Sequence, residues 1–428
     1  MKKSNFGKFM ILWLGQMISA IGGGLTSFGL GVYVFNQTGS AAGMALVTLL
    51  GFLPTLVLSI PAGVLADLID RRVLMMLGDG LSGLGILYIL ICMMRGGATL
   101  TEICIGVFVS AVFSSLLEPA YKSTVSDLLT KDEYSKASGL VSLAGSARYL
   151  ISPVIAGILL SVSDIRLLLV IDICTFILTV ISTFVVKRGI SEGVRSDASE
   201  NDDSDVTATE KDTEDQGAVS SFFTSMKEGY NALKGRRGVL YLVLTSSLLT
   251  LFIGVFQILA EPMVLSMSNE RTLGIVETVC ASGMLVTSLY LGIRGIKKGY
   301  VKVLSISLAI AGVFICGFGF FSQIPVITAC GFGFFMMLPF ANNCLDYLVR
   351  TNIPVEVQGR VWGIIGFLSQ IGYVIAYGLS GIMADAIAAA RGISVGRGAG
   401  SVMVFSGMAL VIVSVVLLLV REIRSLER

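Results

Sequence analysis

Histidine is absent from all 428 residues. Its absence removes Ser–His–Asp and Cys–His catalysis, the usual imidazole metal ligand and a histidine proton relay. A phosphate-cradling glycine loop is missing as well. Gly7–Lys8 is the one Gly-Lys pair, and it has neither the upstream glycine nor a following Ser or Thr. Charge is scarce: 14% of residues are Asp, Glu, Lys or Arg, against about a quarter in soluble domains. The chain therefore lacks the polar faces a soluble multi-domain protein needs. A formal net charge of +2 gives no reason to expect nucleic acid as a partner.

What the chain has instead is apolar sequence, 54% of it, in long and numerous runs. These runs predict an all-α polytopic membrane protein. The seven cysteines (Cys92, Cys104, Cys174, Cys280, Cys316, Cys330 and Cys344) all lie within apolar runs with no close pair. They read as small core residues, with no metal site or disulfide framework among them. No cofactor is expected.

Twelve transmembrane helices are predicted, at about 9–35, 41–66, 73–94, 100–126, 137–161, 167–187, 238–266, 272–294, 301–321, 324–349, 360–388 and 399–421. The basic head MKKSNFGK resembles a signal-peptide start, but the apolar run behind it continues to Phe35, which predicts a span that is kept. Of the 31 Lys and Arg, 24 fall on one side of this alternation and five on the other, while Lys122 and Arg148 lie inside spans. This asymmetry predicts a multi-pass protein of the plasma membrane with both termini cytoplasmic.

The chain divides into a six-helix bundle (1–188), a polar linker (189–237) and a second six-helix bundle (238–428). From Asp197 to Gln216 the linker carries nine acids and one lysine, a composition that cannot bury a core and predicts disorder. Phe222, Phe223, Met226, Tyr230 and Leu233 then recur at helical spacing. They predict an amphipathic helix that lies on the membrane surface or docks on the bundle. The basic hairpin Gly292–Lys302 echoes the hairpin Gly63–Arg72, as parallel transporter halves would.

In that first hairpin, PAGVLADLIDRR, the residues Gly63, Asp67, Arg71 and Arg72 resemble the loop signature of the major facilitator superfamily. Leu68 and Asp70 depart from it where the family has a basic residue and a glycine. The Asp-Arg-Arg ending and the loop RTNIPVEVQGRVWG resemble the macrolide-efflux branch. On the fifth span, Ser152-Pro153-Val154-Ile155-Ala156-Gly157 resembles the drug–proton antiporter core, keeping Pro153 and Gly157 for close helix packing. The arginine signature of that branch's fourth helix is missing.

The resemblance implies a secondary transporter, not an enzyme, that exports macrolide- or multidrug-like amphipathic molecules in exchange for protons, as a monomer in the lipid bilayer. It also implies an inner gate in which Asp67 latches Arg360 and the start of the eleventh helix. Export of a siderophore or peptide is the alternative cargo, and a non-transporting membrane sensor or scaffold the alternative class.

Ionisable groups inside spans need a reason to be there. Glu118 lies roughly 13 Å deep by helix rise, with Lys122 one turn away and Arg148 deep in the next span. Glu118 is the first candidate for the proton carrier, in a centre with Arg148. A static Glu118–Lys122 pair, with Arg148 on backbone carbonyls, is equally compatible with the sequence. Asp79 is expected to pair with Lys122, with Arg148 or with the hairpin. Asp172, Glu261 and Glu277 lie toward the outer ends of their spans, where each either lines an outward vestibule or, more in keeping with its position, is a water-exposed helix end. Tyr149, Phe256, Glu261, Asn342, Asn343, Tyr373 and Tyr377 are the candidates for a substrate cavity wall, although such aromatics more often serve helix packing.

Overall fold

The computed structural model describes residues 5–130, 133–198, 237–353 and 355–427. Most of the linker (199–236), with its acidic and amphipathic parts, lies outside the described residues. Side chains at 189–198 and 354–364 and those of Asp67, Val239 and a few others also lie outside them.

The described chain is helical, with no strand. The helices are α1 (Phe6–Thr38), α2 (Ala41–Leu68), α3 (Arg71–Met94), α4 (Leu100–Ser114), α5 (Leu117–Leu128), α6 (Tyr134–Leu150), α7 (Ser152–Val162) and α8 (Ile165–Ala198). After the linker come α9 (Arg237–Leu265), α10 (Glu270–Arg294), α11 (Tyr300–Phe320), α12 (Ile324–Asn352), α13 (Val355–Arg391), α14 (Val395–Leu419) and the short α15 (Arg421–Arg424). Twelve spans long and apolar enough to cross a membrane are present among the described residues.

Two expected spans are broken. The fourth divides into α4 and α5 at Ser115–Leu116, just before Pro119, and the fifth into α6 and α7 at Ile151, just before Pro153. Proline has no N–H to give the preceding turn, and its ring crowds that turn's carbonyl. Pro54, Pro61, Pro262 and Pro339 sit inside helices that stay continuous.

Helix starts follow from local chemistry. Thr99 and Glu102 form a reciprocal capping box on α4. Asn269 caps α10 through the Thr272 N–H, 3.0 Å. Asp70 caps α3, accepting from the Arg72 N–H at 2.9 Å. This explains why an aspartate replaces the family glycine there.

The contacts divide into two compact units, and the division does not follow the linker. One unit holds α1 up to Thr26, Leu50–Arg148 and the chain from Arg166 through α8. Its core gathers Phe9, Leu12, Trp13, Leu74, Met75, Tyr121, Leu128 and Leu129. Trp13 Nε1 donates to the Leu140 carbonyl at 2.6 Å.

The other unit holds Ser27–Leu49, Tyr149–Ile165 and α9 onward. Within it α11 packs on α12 and α14, α9 on α13, and α10 on α12 and α7. The α7–α10 crossing is close because glycines face backbone. A Cβ on Gly157 would lie 2.7 Å from the Glu270 carbonyl, and one on Gly274 would collide with the Pro153 carbonyl. Pro153 and Gly157 thus meet α10 directly.

Candidate functional site

Helix α8 carries a polar stripe through an apolar span: Asp172, Thr175, Thr179 and Thr183, spaced three, four and four residues apart. That spacing puts all four on one face. All are buried. The face turns toward α1 and α3 of the same unit. Gly22 of α1 lies against it: a Cβ there would be 2.9 Å from Asp172 Oδ1 and 2.5 Å from Thr175 Oγ1. Thr175 Oγ1 donates to Asp172 Oδ1 at 3.4 Å. Thr26 of α1 flanks the same carboxylate, and the cationic charge that acts on it comes from Arg148.

Asp79 of α3 is the second acid here. Gln16 Nε2 of α1 donates to its Oδ2 at 3.2 Å, and Thr179 of α8 stands beside it. Asp79 and Asp172 are each 1% exposed. Carboxylates buried in a dry helix interface and served by hydroxyls and one amide do not carry charge cheaply. Each proton bound removes one negative charge from such a strip, and each proton lost restores it.

This arrangement revises several expectations. Asp172 is no water-exposed helix end; α1 closes over it at Gly22. Asp79 takes Gln16 as its partner. Glu118 and Lys122 pair with each other at 2.6 Å, one turn apart on α5, with side chains 74% and 66% exposed. The Glu118–Lys122 pair is the one the static alternative expected. Glu118 is exposed, and Arg148 acts on Asp172. The signal that could have found the site was the i, i+3, i+7, i+11 spacing of Asp172, Thr175, Thr179 and Thr183.

The expected cavity residues fall into three groups. Phe256 and Tyr377 are buried packing residues. Phe256 sits among Phe318, Phe334 and Phe335 with centroids 4.8, 4.9 and 5.4 Å away. Tyr377 donates to Gln257 Oε1 at 2.6 Å. Tyr149, Asn342 and Asn343 are exposed, and Tyr373 is half-buried with its ring 5.7 Å from that of Tyr377. Glu261 of α9 is half-buried beside Gly31 of α1, and the charge of Glu277 on α10 acts on it.

At the hairpin, Gly63 is half-buried on α2. Arg71 Nη1 bonds Asp127 Oδ1 at 2.8 Å, and Lys187 Nζ approaches Asp70 at 4.0 Å. The side chains of Asp67 and Arg360 lie outside those described, so the latch they were expected to form is not described either.

Similar proteins agree with this architecture. The Major Facilitator Superfamily profile matches residues 12–377. "Macrolide efflux protein A" of Streptococcus pyogenes is 23% identical over 425 residues, covering 98% of this chain and 97% of that protein. An uncharacterized MFS-type transporter of Bacillus subtilis is 25% identical over 387 residues, covering 88% and 86%. Among solved structures, a bacterial homolog of the human lysosomal transporter Spinster superposes with a TM-score of 0.69 at 13% identity, over 100% of this chain and 99% of that one. A bacterial homologue of the iron transporter ferroportin gives 0.68 at 14% identity, over 96% and 100%. The twelve spans, the Gly63–Arg72 hairpin and the profile match together establish that this chain is a multi-pass membrane transporter of the major facilitator superfamily.

Proposed function

We propose that the chain is a proton-coupled exporter of amphipathic small molecules, macrolide-like compounds among them, working by alternating access in the plasma membrane with both termini cytoplasmic. The observation that carries the coupling is the burial of Asp79 and Asp172 together on the α1–α3–α8 interface, each 1% exposed. A secondary carrier uses protonation of such intramembrane acids to bias one conformation over another.

In this reading, protonation removes the buried negative charge of the two carboxylates and the attraction of Asp172 for Arg148. Deprotonation restores both. Gln16 and the threonine hydroxyls hold the carboxylates in place in either state. The amphipathic cargo is supported by the relatives named for macrolide efflux and by an apolar bundle with few charges.

The test is dye and macrolide flux in proteoliposomes under an imposed pH gradient. Asp172→Asn and Asp79→Asn are each expected to lower gradient-driven flux at least about tenfold, the scale of one lost charge interaction in a dry site. Counterflow without a gradient should survive. Glu118→Gln is expected to retain most of the coupled flux, because an exposed ion pair contributes little. Full coupling in both aspartate variants would overturn the assignment.

A further inference from the structure

The α13 segment Gly381-Ile382-Met383-Ala384-Asp385-Ala386-Ile387 repeats the α2 segment Gly63-Val64-Leu65-Ala66-Asp67-Leu68-Ile69. Glycine, alanine, aspartate and the final isoleucine are identical at the same spacing, and two further positions exchange similar aliphatic residues. Each run lies toward the C-terminal end of its helix. The hairpin run therefore has a counterpart on a helix of the other sequence half.

The counterpart is engaged. Asp385 Oδ2 accepts from Ser40 Oγ at 2.6 Å and from the Ala42 N–H at 3.0 Å, and Oδ1 accepts from the Ala41 N–H at 3.0 Å. Ala41 and Ala42 are the first two residues of α2, so these N–H groups have no partner within the helix. Ser40 Oγ takes the Gly43 N–H at 3.0 Å. Three of the four orphan donors of α2 are thus filled, two of them by a carboxylate more than 340 positions away in sequence.

Gly381 makes the approach possible. A Cβ there would lie 2.6 Å from the Ala41 carbonyl and 2.8 Å from Ala42 Cα. A carboxylate at a helix N-terminus gains from both the charge-assisted bonds and the helix dipole. Beside it, Asn36 Nδ2 of α1 donates to Glu270 Oε1 of α10 at 3.1 Å.

Resting on the exporter reading above, we propose that Asp385 and Gly381 form an outer latch. It holds the N-terminus of α2 to α13 while the carrier is closed to the outside, and it releases when the carrier opens outward. The Gly63–Asp67 run is the counterpart that the family resemblance assigns to the inner gate.

The test uses the full chain in nanodiscs, with its seven cysteines replaced and spin labels on Gln37→Cys and Arg391→Cys, both exposed positions on this face. Asp385→Ala is expected to raise the long-distance, outward-open fraction about tenfold, as loss of charge-assisted bonds implies. The isosteric Asp385→Asn, which keeps one acceptor oxygen and serves if the alanine variant does not fold, should raise it at least about twofold. Asp67→Asn should move the distribution the other way, and the Asp67→Asn/Asp385→Asn pair should bring it back toward the parent.

A well-folded Asp385→Asn or Asp385→Ala protein with unchanged distances would overturn the latch. So would an Asp67→Asn shift in the same direction as Asp385→Ala. Flux measured on the same samples separates the two readings. Distance shifts without gradient-driven flux of any compound in the parent would remove the exporter reading and leave the latch, and flux with unmoved distances would do the reverse.

Discussion

Each decisive side chain works by filling an unmet backbone or carboxylate need. Asp70 is such a case. It takes the Arg72 N–H at the start of α3, a group the helix itself cannot satisfy. Asp70→Ala should lower stability by about 1 kcal/mol, read as a lower midpoint in thermal unfolding of the detergent-purified protein. Serine at the same position should recover most of it. Gly22 is a second case, where the absence of a side chain matters. Leucine there would be driven into Asp172 and Thr175. The overpacking should cost about 1–3 kcal/mol, and the same unfolding assay, run beside gradient-driven flux, should show both falling together.

The helices show where local rules and neighbours divide the control. Pro119 and Pro153 break their spans, whereas Pro54 and Pro339 do not. Both halves of the fourth span stay on α3, while the fifth span sends its second half to a new neighbour. The α7 half packs on α10 through Gly157 and Gly274. Gly157→Leu should therefore push α7 off α10 and reduce transport at least about tenfold, as misplacement of a packed element does, while a leucine at exposed Gly139 should leave flux unchanged. Helix α11 is another case. Its hairpin has no aspartate, and Gly299 offers no side-chain cap. Glu427 from the C-terminal turn accepts the Val301 N–H, the second residue of α11, just as Asp70 serves the second residue of α3. Asn352 Nδ2 fixes that turn through the Leu426 carbonyl at 3.1 Å. Glu427→Ala should increase amide hydrogen exchange in the first turn of α11 and leave α3 unaffected.

Over the whole molecule, the basic residues give the topology its own test. With 24 of 31 Lys and Arg on one side of the alternation, epitope tags on both termini should be protease-accessible in inverted vesicles and protected in intact cells. A split result would mean an odd number of crossings. The twelve spans were legible because each needs only length and apolar content, and their ends moved by a few residues once caps such as Asp70 and Asn269 were in place. The site was less legible. Glu118 stood out by its depth along the chain, but depth does not say whether a side chain is buried, and its side chain is 74% exposed. Asp172 was near a span end by count and buried in fact, because α1 covers it through Gly22.

The sequence by itself determined the membrane class, the number of spans and the family, since these depend on local composition and on a short charged hairpin. Only the tertiary structure decided which acids are dry, which helix start receives a carboxylate, and that the Gly-x-x-x-Asp run of α13 is in use. Those facts depend on pairs such as Asp385 with Ala41 and Ala42, which are distant along the chain. Their meeting is set by how closely glycine-bearing helix faces can approach.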